Sequence, residues 1–416
     1  MHSIDRNNNF FSIPNLYNLS FLSISFLIAI DPSGDWIFQL KNLFIAPINL
    51  EFIQDTVLGI LLLINLAVVI DILYKKNFIY SKDLIIIVIS LIFSCILGLI
   101  KGANIFDLII EGSTFLFLPL QIIIFLNYQE YINKNLFKNC YYIFLFTTIA
   151  KIFFYILVVG NLSSVVSTLF RPGALKLASI YFCHGIGLLY TLINKKYNSN
   201  GLSIYLIGAT LFIGIFNTSR SYFIMIAALI FYIIVKFLFS KRIKILPFLI
   251  ISLAIYIIVI TGKQIKFDNL SDYTKRETFA KRYDTLICFS KSSIDDFLIG
   301  TGIGTPIECS QEGILNSENY RKKTFLRRNQ TELGLLTLVL KLGLLNSVIY
   351  FYFFNNWLKK NINKNTIINN SAKSTLFFLL VYSLFKSTIT SLYVLFFLLI
   401  LILWNLNDQK QLTKKN

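Results

Sequence analysis

Histidine is almost missing from this 416-residue chain: His2 and His184 are the only two. No His, Cys and carboxylate groups stand at metal-ligand spacing, so no metal centre is expected. A Ser–His–acid arrangement is excluded from the one long polar stretch, residues 261–331, because that stretch holds no histidine. His184 falls in the middle of an apolar run and is expected to pack inside a helix bundle. Charge is scarce as well, at 14% of residues against 56% hydrophobic. A soluble domain of this length does not carry that balance. A basic leader followed by a small-residue cleavage site is not evident after MHSIDRNNNF, so the first apolar run is expected to stay as a helix. Internal repeats, lipidation motifs and low-complexity tails are not apparent either.

Apolar sequence fills most of the chain. Runs follow one another from Ile13 to Trp404, interrupted only between Thr261 and Glu332. Runs of about twenty apolar residues are what a bilayer requires of a spanning helix. Backbone groups in lipid must be bonded internally, which leaves helices or a closed barrel. These runs are continuous rather than alternating, which selects helices. The expected fold is all-α: a polytopic transmembrane helix bundle of about twelve spans, with one large periplasmic loop between spans nine and ten. The first six are Ile13–Ile30, Phe52–Tyr74, Leu84–Ile100, Ile105–Leu126, Tyr141–Val159 and Gly173–Ile193. The others are Leu202–Ile215, Tyr222–Phe239, Ile245–Ile260, Leu333–Phe354, Thr375–Ile389 and Leu392–Trp404. Thr375–Trp404 also reads as one long tilted helix, and Trp36–Leu50 as an interfacial or re-entrant segment. The domain division is a bundle of nine spans in residues 1–260, the polar loop in 261–331, and three spans with a tail in 332–416.

The net charge of +18 does not argue for nucleic acid. The basic residues sit mostly in short loops, where they set orientation. With the N-terminus in the cytoplasm, inner loops and tails hold eighteen Lys and Arg, and short outer loops hold four: Lys41, Lys101, Arg171 and Arg220. Both termini are therefore expected in the cytoplasm, and the polar loop outside it. Cys288 and Cys309 fall in that loop, where an oxidising compartment permits a disulfide or leaves two thiols.

Charges near the membrane need reasons. Arg171 opens span six in LFRPGALK, and Arg220 lies in the turn NTSRSY. Two guanidinium groups at a membrane mouth suit a lipid-linked diphosphate, because Arg grips phosphate oxygens bidentately. Lipid-headgroup snorkelling, or a structural ion pair with Asp107 or Glu111, is the plainer alternative. Glu332 begins span ten and Lys341 lies within it. In the loop, Arg276, Lys281 and Arg282 precede Gly300, Gly302 and Gly304. Glycines so spaced can bring backbone N–H groups close to an anion, or form a tight turn at the membrane surface.

Taken in order, these features resemble the bacterial O-antigen polymerase and O-antigen ligase superfamily. The likeness rests on Arg171-Pro172-Gly173, on Thr218-Ser219-Arg220-Ser221, on the loop from Arg276 or Arg282 to FLIGTGIG, and on RRNQTELGLLTLVLKLGLL. It implies a metal-independent, cofactor-free glycosyltransferase of the bacterial inner membrane, with a polyprenyl-diphosphate-linked glycan as donor. Under that resemblance Arg220, Arg171 and Glu332 are the catalytic candidates. Arg276, Arg282, Gly300, Gly302, Gly304, Arg328, Asn329 and Lys341 are the substrate-binding ones. Expected partners are the lipid-linked glycan, the lipid bilayer and other polysaccharide-assembly proteins, with no nucleic acid. Ligases of the group carry a His-Asn pair eleven residues ahead of a glycine, where this chain has Glu332 ahead of Gly343. That departure favours a polymerase over a ligase. A transporter or flippase for a lipid-linked sugar is the reading from another class. It should show repeats and broken helices with midplane polar sites.

Overall fold

The computed structural model describes residues 13–30, 81–159, 178–195, 206–210, 293–307, 334–362, 367–383 and 392–413, with four more positions between 64 and 70. Among the described residues the architecture is helical, with no β-strand. The helices are α1 (Ile13–Ile30), α2 (Lys82–Ile100), α3 (Ile105–Tyr128), α4 (Leu136–Val159), α5 (Ala178–Lys195), α6 (Ile294–Leu298), α7 (Gly334–Asn361), α8 (Ile367–Ser383) and α9 (Leu392–Thr413). Three of them, α2, α3 and α7, are long and apolar enough to cross a membrane.

α2 shows what kind of solvent its outer face suits. Past Lys82 at its start, its exposed positions are Ile86, Ile89, Ile92, Phe93, Ile96, Leu99 and Ile100. Its buried face carries Asp83, Ser90, Ser94 and Gly98 beside leucine and isoleucine. A helix in water turns its polar residues outward. Here the small and polar residues are turned inward, as in helices that associate within lipid, where small side chains let backbones approach. Ser90 and Ser94 each return a hydroxyl bond to their own helix, to Ile87 O at 2.9 Å and Ser90 O at 3.2 Å. Asn346 of α7 donates to Ser94 Oγ at 3.2 Å.

α2 turns into α3 through Lys101–Asn104, where Ala103 N donates to Gly98 O and the Asn104 side chain caps α3 by accepting from Phe106 N at 3.0 Å. α7 packs antiparallel on α2. The Lys360 ammonium near the end of α7 lies 2.9 Å from Asp83 Oδ2 near the start of α2, and Asn356 donates to Asp83 Oδ1. α3 runs back along α2 from the tight turn, so its end comes to the same side, where Gln129 donates to Leu406 O and Asn407 to Lys134 O. Lys82, Lys134, Lys359 and Lys360 thus gather toward one end of the bundle.

α9 is its central rod. Every residue from Val394 to Asn407 is buried, and the helix packs on α3, α4 and α8. A helix apolar on all sides is one enclosed on all sides. Phe396 stacks on Phe21 at 5.3 Å, and Phe397 meets Phe144 edge-on at 5.4 Å. α8 and α9 pack side by side, so the stretch read alternatively as one tilted helix is two. α5 lies along α8. There His184 is enclosed as expected, with Nε2 3.1 Å from Tyr141 Oη and Nδ1 3.0 Å from Thr375 Oγ1. Both ring nitrogens are committed to neighbours in the interior.

Candidate functional site

At the end of the bundle away from Lys360, residues Ser293–Ile307 are docked onto three helices. Ser293 caps α6 by accepting from Asp296 N at 3.0 Å, a short-range bond that starts the turn. α6 ends at Leu298 with Ile299 as its C-cap, and the chain then runs GTGIGT across the bundle. Gly300, Gly302 and Gly304 all take positive φ, at 97°, 93° and 85°. Each of the three lies against a different helix. A Cβ on Gly300 would meet Gly343 N of α7 at 2.5 Å, one on Gly302 would meet Gly98 N of α2 at 2.3 Å, and one on Gly304 would meet Leu108 Cα of α3 at 2.7 Å. No side chain fits at such separations.

The partner surfaces are shaped for this. α7 breaks at Gly343, where φ is 78° and ψ is 162°. In an unbroken helix the carbonyls of Leu340 and Lys341 would accept from the amides four residues on. Here Thr301 N donates to Leu340 O at 2.8 Å and Gly302 N to Lys341 O at 3.0 Å. The docked segment supplies donors where the helix is interrupted. Ile303 N donates to Ser94 O of α2 at 3.0 Å, and Gly300 N to Asp296 O of α6 at 3.0 Å. Gly304 N donates to Glu111 Oε2 of α3 at 2.8 Å.

Glu111 is the electrostatic centre. It is 5% exposed, and Lys341 is fully buried. The Lys341 ammonium donates to Glu111 Oε1 at 3.1 Å, lies 2.9 Å from Oε2, and also donates to the Thr305 carbonyl. Thr305 Oγ1 donates to Gly302 O at 2.7 Å, which tightens the turn from within. A buried charge is tolerable when it is paired and its remaining polar capacity is filled. Both requirements are met here by residues of the helices and of the docked segment.

At the rim, Lys101 donates to Asp296 Oδ1 at 2.5 Å and to Gly300 O at 3.0 Å. Burial works against ionising Asp296, but hydrogen bonds with Lys101 and Ser293 and the Lys101 charge outweigh it and hold the carboxyl below its ordinary range. A folded value below the unfolded one gives stability at neutral pH that disappears as pH falls through the folded value. The pair is about one-third exposed, so solvent screening limits it to about 1 kcal/mol or less. The expected result is that wild type unfolds at a higher temperature than Asp296→Asn at pH 7. The gap should begin to shrink near pH 4, the unfolded aspartate range, and close as pH falls through the lower folded value. A gap independent of pH would show that the carboxylate charge contributes nothing.

Of the residues singled out from sequence, the structure brings together Gly300, Gly302, Gly304 and Lys341. The amides of Gly300 to Gly304 are all bonded to protein acceptors, and the ammonium is bonded to Glu111 and Thr305. In this arrangement their polar groups hold the segment to the bundle. Arg171, Arg220, Arg276, Arg282, Arg328, Asn329 and Glu332 lie outside the described residues, as do Cys288 and Cys309. The sequence offers Glu111 as an ion-pair partner for Arg171 or Arg220; its partner among the described residues is Lys341. Gly98 and Gly343 complete the site without having been singled out as docking surfaces. The available signal was two opposite charges set inside separate apolar runs, each requiring a counter-charge.

No family model matches the chain, and no curated protein is significantly similar to it.

Proposed function

We propose that the chain is a membrane glycosyltransferase that polymerises polyprenyl-diphosphate-linked oligosaccharide repeat units on the periplasmic face of a bacterial inner membrane. The support is the ordered set of residues from Arg171 to Leu345. One structural observation carries the reading further. FLIGTGIG and the start of α7, two consecutive parts of that set, are bonded to each other at one end of the bundle. In sequence the two parts are separated by residues 308–333, a polar stretch rich in basic residues.

The chemistry needs no metal in this reading. The acceptor hydroxyl oxygen attacks the anomeric carbon of the donor glycan. The bond from that carbon to the diphosphate oxygen breaks, and the polyprenyl diphosphate departs with the electron pair. Arg220 and Arg171 offset the charge developing on the leaving diphosphate, which is the main electrostatic task. Glu332 takes the hydroxyl proton. Arg276, Arg282, Arg328 and Asn329 hold the sugars and phosphates. Gly300, Gly302, Gly304 and Lys341 shape the site without touching substrate, since their polar groups are bonded within the protein.

Complementation tests this. The gene is deleted, and wild type, Arg220→Ala, Arg171→Ala and Glu332→Gln are restored at matched membrane levels. Removal of one group that stabilises developing charge costs on the order of 100- to 1,000-fold in turnover. The surface polysaccharide ladder should therefore collapse to single repeat units. Long lipid-linked chains that never reach an acceptor would mean a ligase. An unchanged ladder in the deletion strain would sink the glycosyltransferase reading and leave transport.

A further inference from the structure

We infer that Glu111 and Lys341 form a latch that holds residues 300–305 against the bundle, and that both are positioning residues for the transfer reaction rather than contacts to its substrate; the positioning role rests on the function proposed above. The pair spans two helices, α3 and α7, but its bonds do not stop at each other. Glu111 accepts the amide of Gly304, and Lys341 donates to the carbonyl of Thr305. Each charge thus carries one extra bond, and both extra bonds go to adjacent residues of the docked segment. A pair needed only to join α3 to α7 would not require either of them. The polarity is also fixed: the segment offers a donor to the carboxylate and an acceptor to the ammonium.

The latch lies where it can set the geometry of the proposed site. Lys341 is nine residues along from Glu332, the proposed base, which immediately precedes the start of α7 by two residues. The docked segment occupies the break at Gly343 and bonds to Leu340 and Lys341 themselves. Releasing the segment frees those carbonyls and removes the constraint on the break, about two turns along α7 from its start. A small misplacement of a reacting group far from the chemistry can cost about 100-fold in rate.

The fixed polarity gives a test that a plain ion pair would not pass. In the full-length chain, the native cysteines other than Cys183 are replaced by serine, and Ile303 is changed to cysteine. Ile303 is fully buried under the docked segment, and Cys183 is fully buried in α5 as an internal control. Labelling by a polyethylene-glycol maleimide is followed in detergent. The parent should label slowly at both sites. Lys341→Met and Glu111→Lys/Lys341→Glu should each raise labelling at position 303 at least tenfold, with Cys183 still protected. Lys341→Arg, which keeps a donor and the charge, should stay near the parent. The reversed pair fails in this account because Lys would face the Gly304 N–H and Glu the Thr305 carbonyl. Protection restored by the reversed pair would overturn the latch. So would unchanged labelling at 303 in Lys341→Met, or exposure of Cys183 in step with it. In cells, an opened latch should shorten the polysaccharide ladder, and a full ladder with the latch open would overturn the positioning role. A gene deletion without effect on the ladder would fail the transfer reading alone, and the labelling would still decide the latch.

Discussion

Gly302→Val is expected to eliminate folded protein, while Gly102→Ala is expected to cost little. Both glycines take positive φ, at 93° and 82°. They differ in what surrounds the missing side chain. Around Gly102 nothing lies within 4 Å of a Cβ, whereas at Gly302 the Cβ would fall 2.3 Å from Gly98 N. An alanine at Gly102 incurs only the conformational cost of the left-handed region, about 1–2 kcal/mol. At Gly302 the added atoms meet helix backbone, which cannot move aside as a side chain can. Docking of the segment on α2 is then lost, and with it the bonds to Ser94 O and Glu111 that follow in the next two residues. The readout is the monodisperse fraction of a detergent-solubilised fluorescent fusion, with Gly208→Ala as a neutral comparison because it has open space and an ordinary backbone. Equal behaviour of the Gly102 and Gly302 variants would show that the close approach contributes nothing beyond φ.

The same argument explains what the glycine spacing meant. Glycines at alternate positions do release backbone N–H groups from steric cover, and an anion is one group that can receive them. Helix carbonyls and a buried carboxylate are another. Nothing local in GTGIG distinguishes the two outcomes, because the acceptors come from Leu340, Lys341, Ser94 and Glu111, all distant in sequence. Helices were legible where apolar composition alone decides them. Ile13–Ile30 was read with the bounds it has, and the α2 and α3 runs were found to within two residues at either end. α7 continues to Asn361 through NNWLKKN, beyond the apolar run that ended the reading at Phe354. Hydropathy marks where a helix leaves an apolar environment, and nothing in those polar residues stops the helix itself. α8 likewise starts at Ile367 rather than Thr375, because INNSAKS is polar yet helical. The all-round burial of α9 could be suspected from a run without any polar stripe, but its place at the centre required its neighbours. The break at Gly343 was invisible for the reason that made it possible: a single glycine in an apolar run costs a helix only about 1 kcal/mol and signals nothing by itself.

Lys341→Met is expected to destabilise the chain by about 3–5 kcal/mol, the cost of leaving a buried charge without its partner. Methionine fills nearly the same volume, so packing changes little and the loss is electrostatic. Glu111, at 5% exposure, would lose its cation and be left with at most a neutral donor. Glu111→Gln should also be damaging, since the ammonium of Lys341 then loses its bonded counter-charge and keeps only the charge of Asp107 nearby. The double variant Glu111→Gln/Lys341→Met should recover most of the stability. Its glutamine oxygen still accepts from Gly304 N, no charge remains buried, and replacing a buried ion pair by neutral groups is often close to neutral. One bond is not replaced, the one from Lys341 to the Thr305 carbonyl, so recovery should stop short by about 1–3 kcal/mol, the penalty for a buried unsatisfied polar group. Thermal unfolding of the four purified chains in one detergent, analysed as a double-mutant cycle, checks this. Coupling well above the additivity limit of about 0.5 kcal/mol is required. Additive losses would mean that the two charges do not depend on each other, and the carboxylate would then owe its place to Gly304 alone.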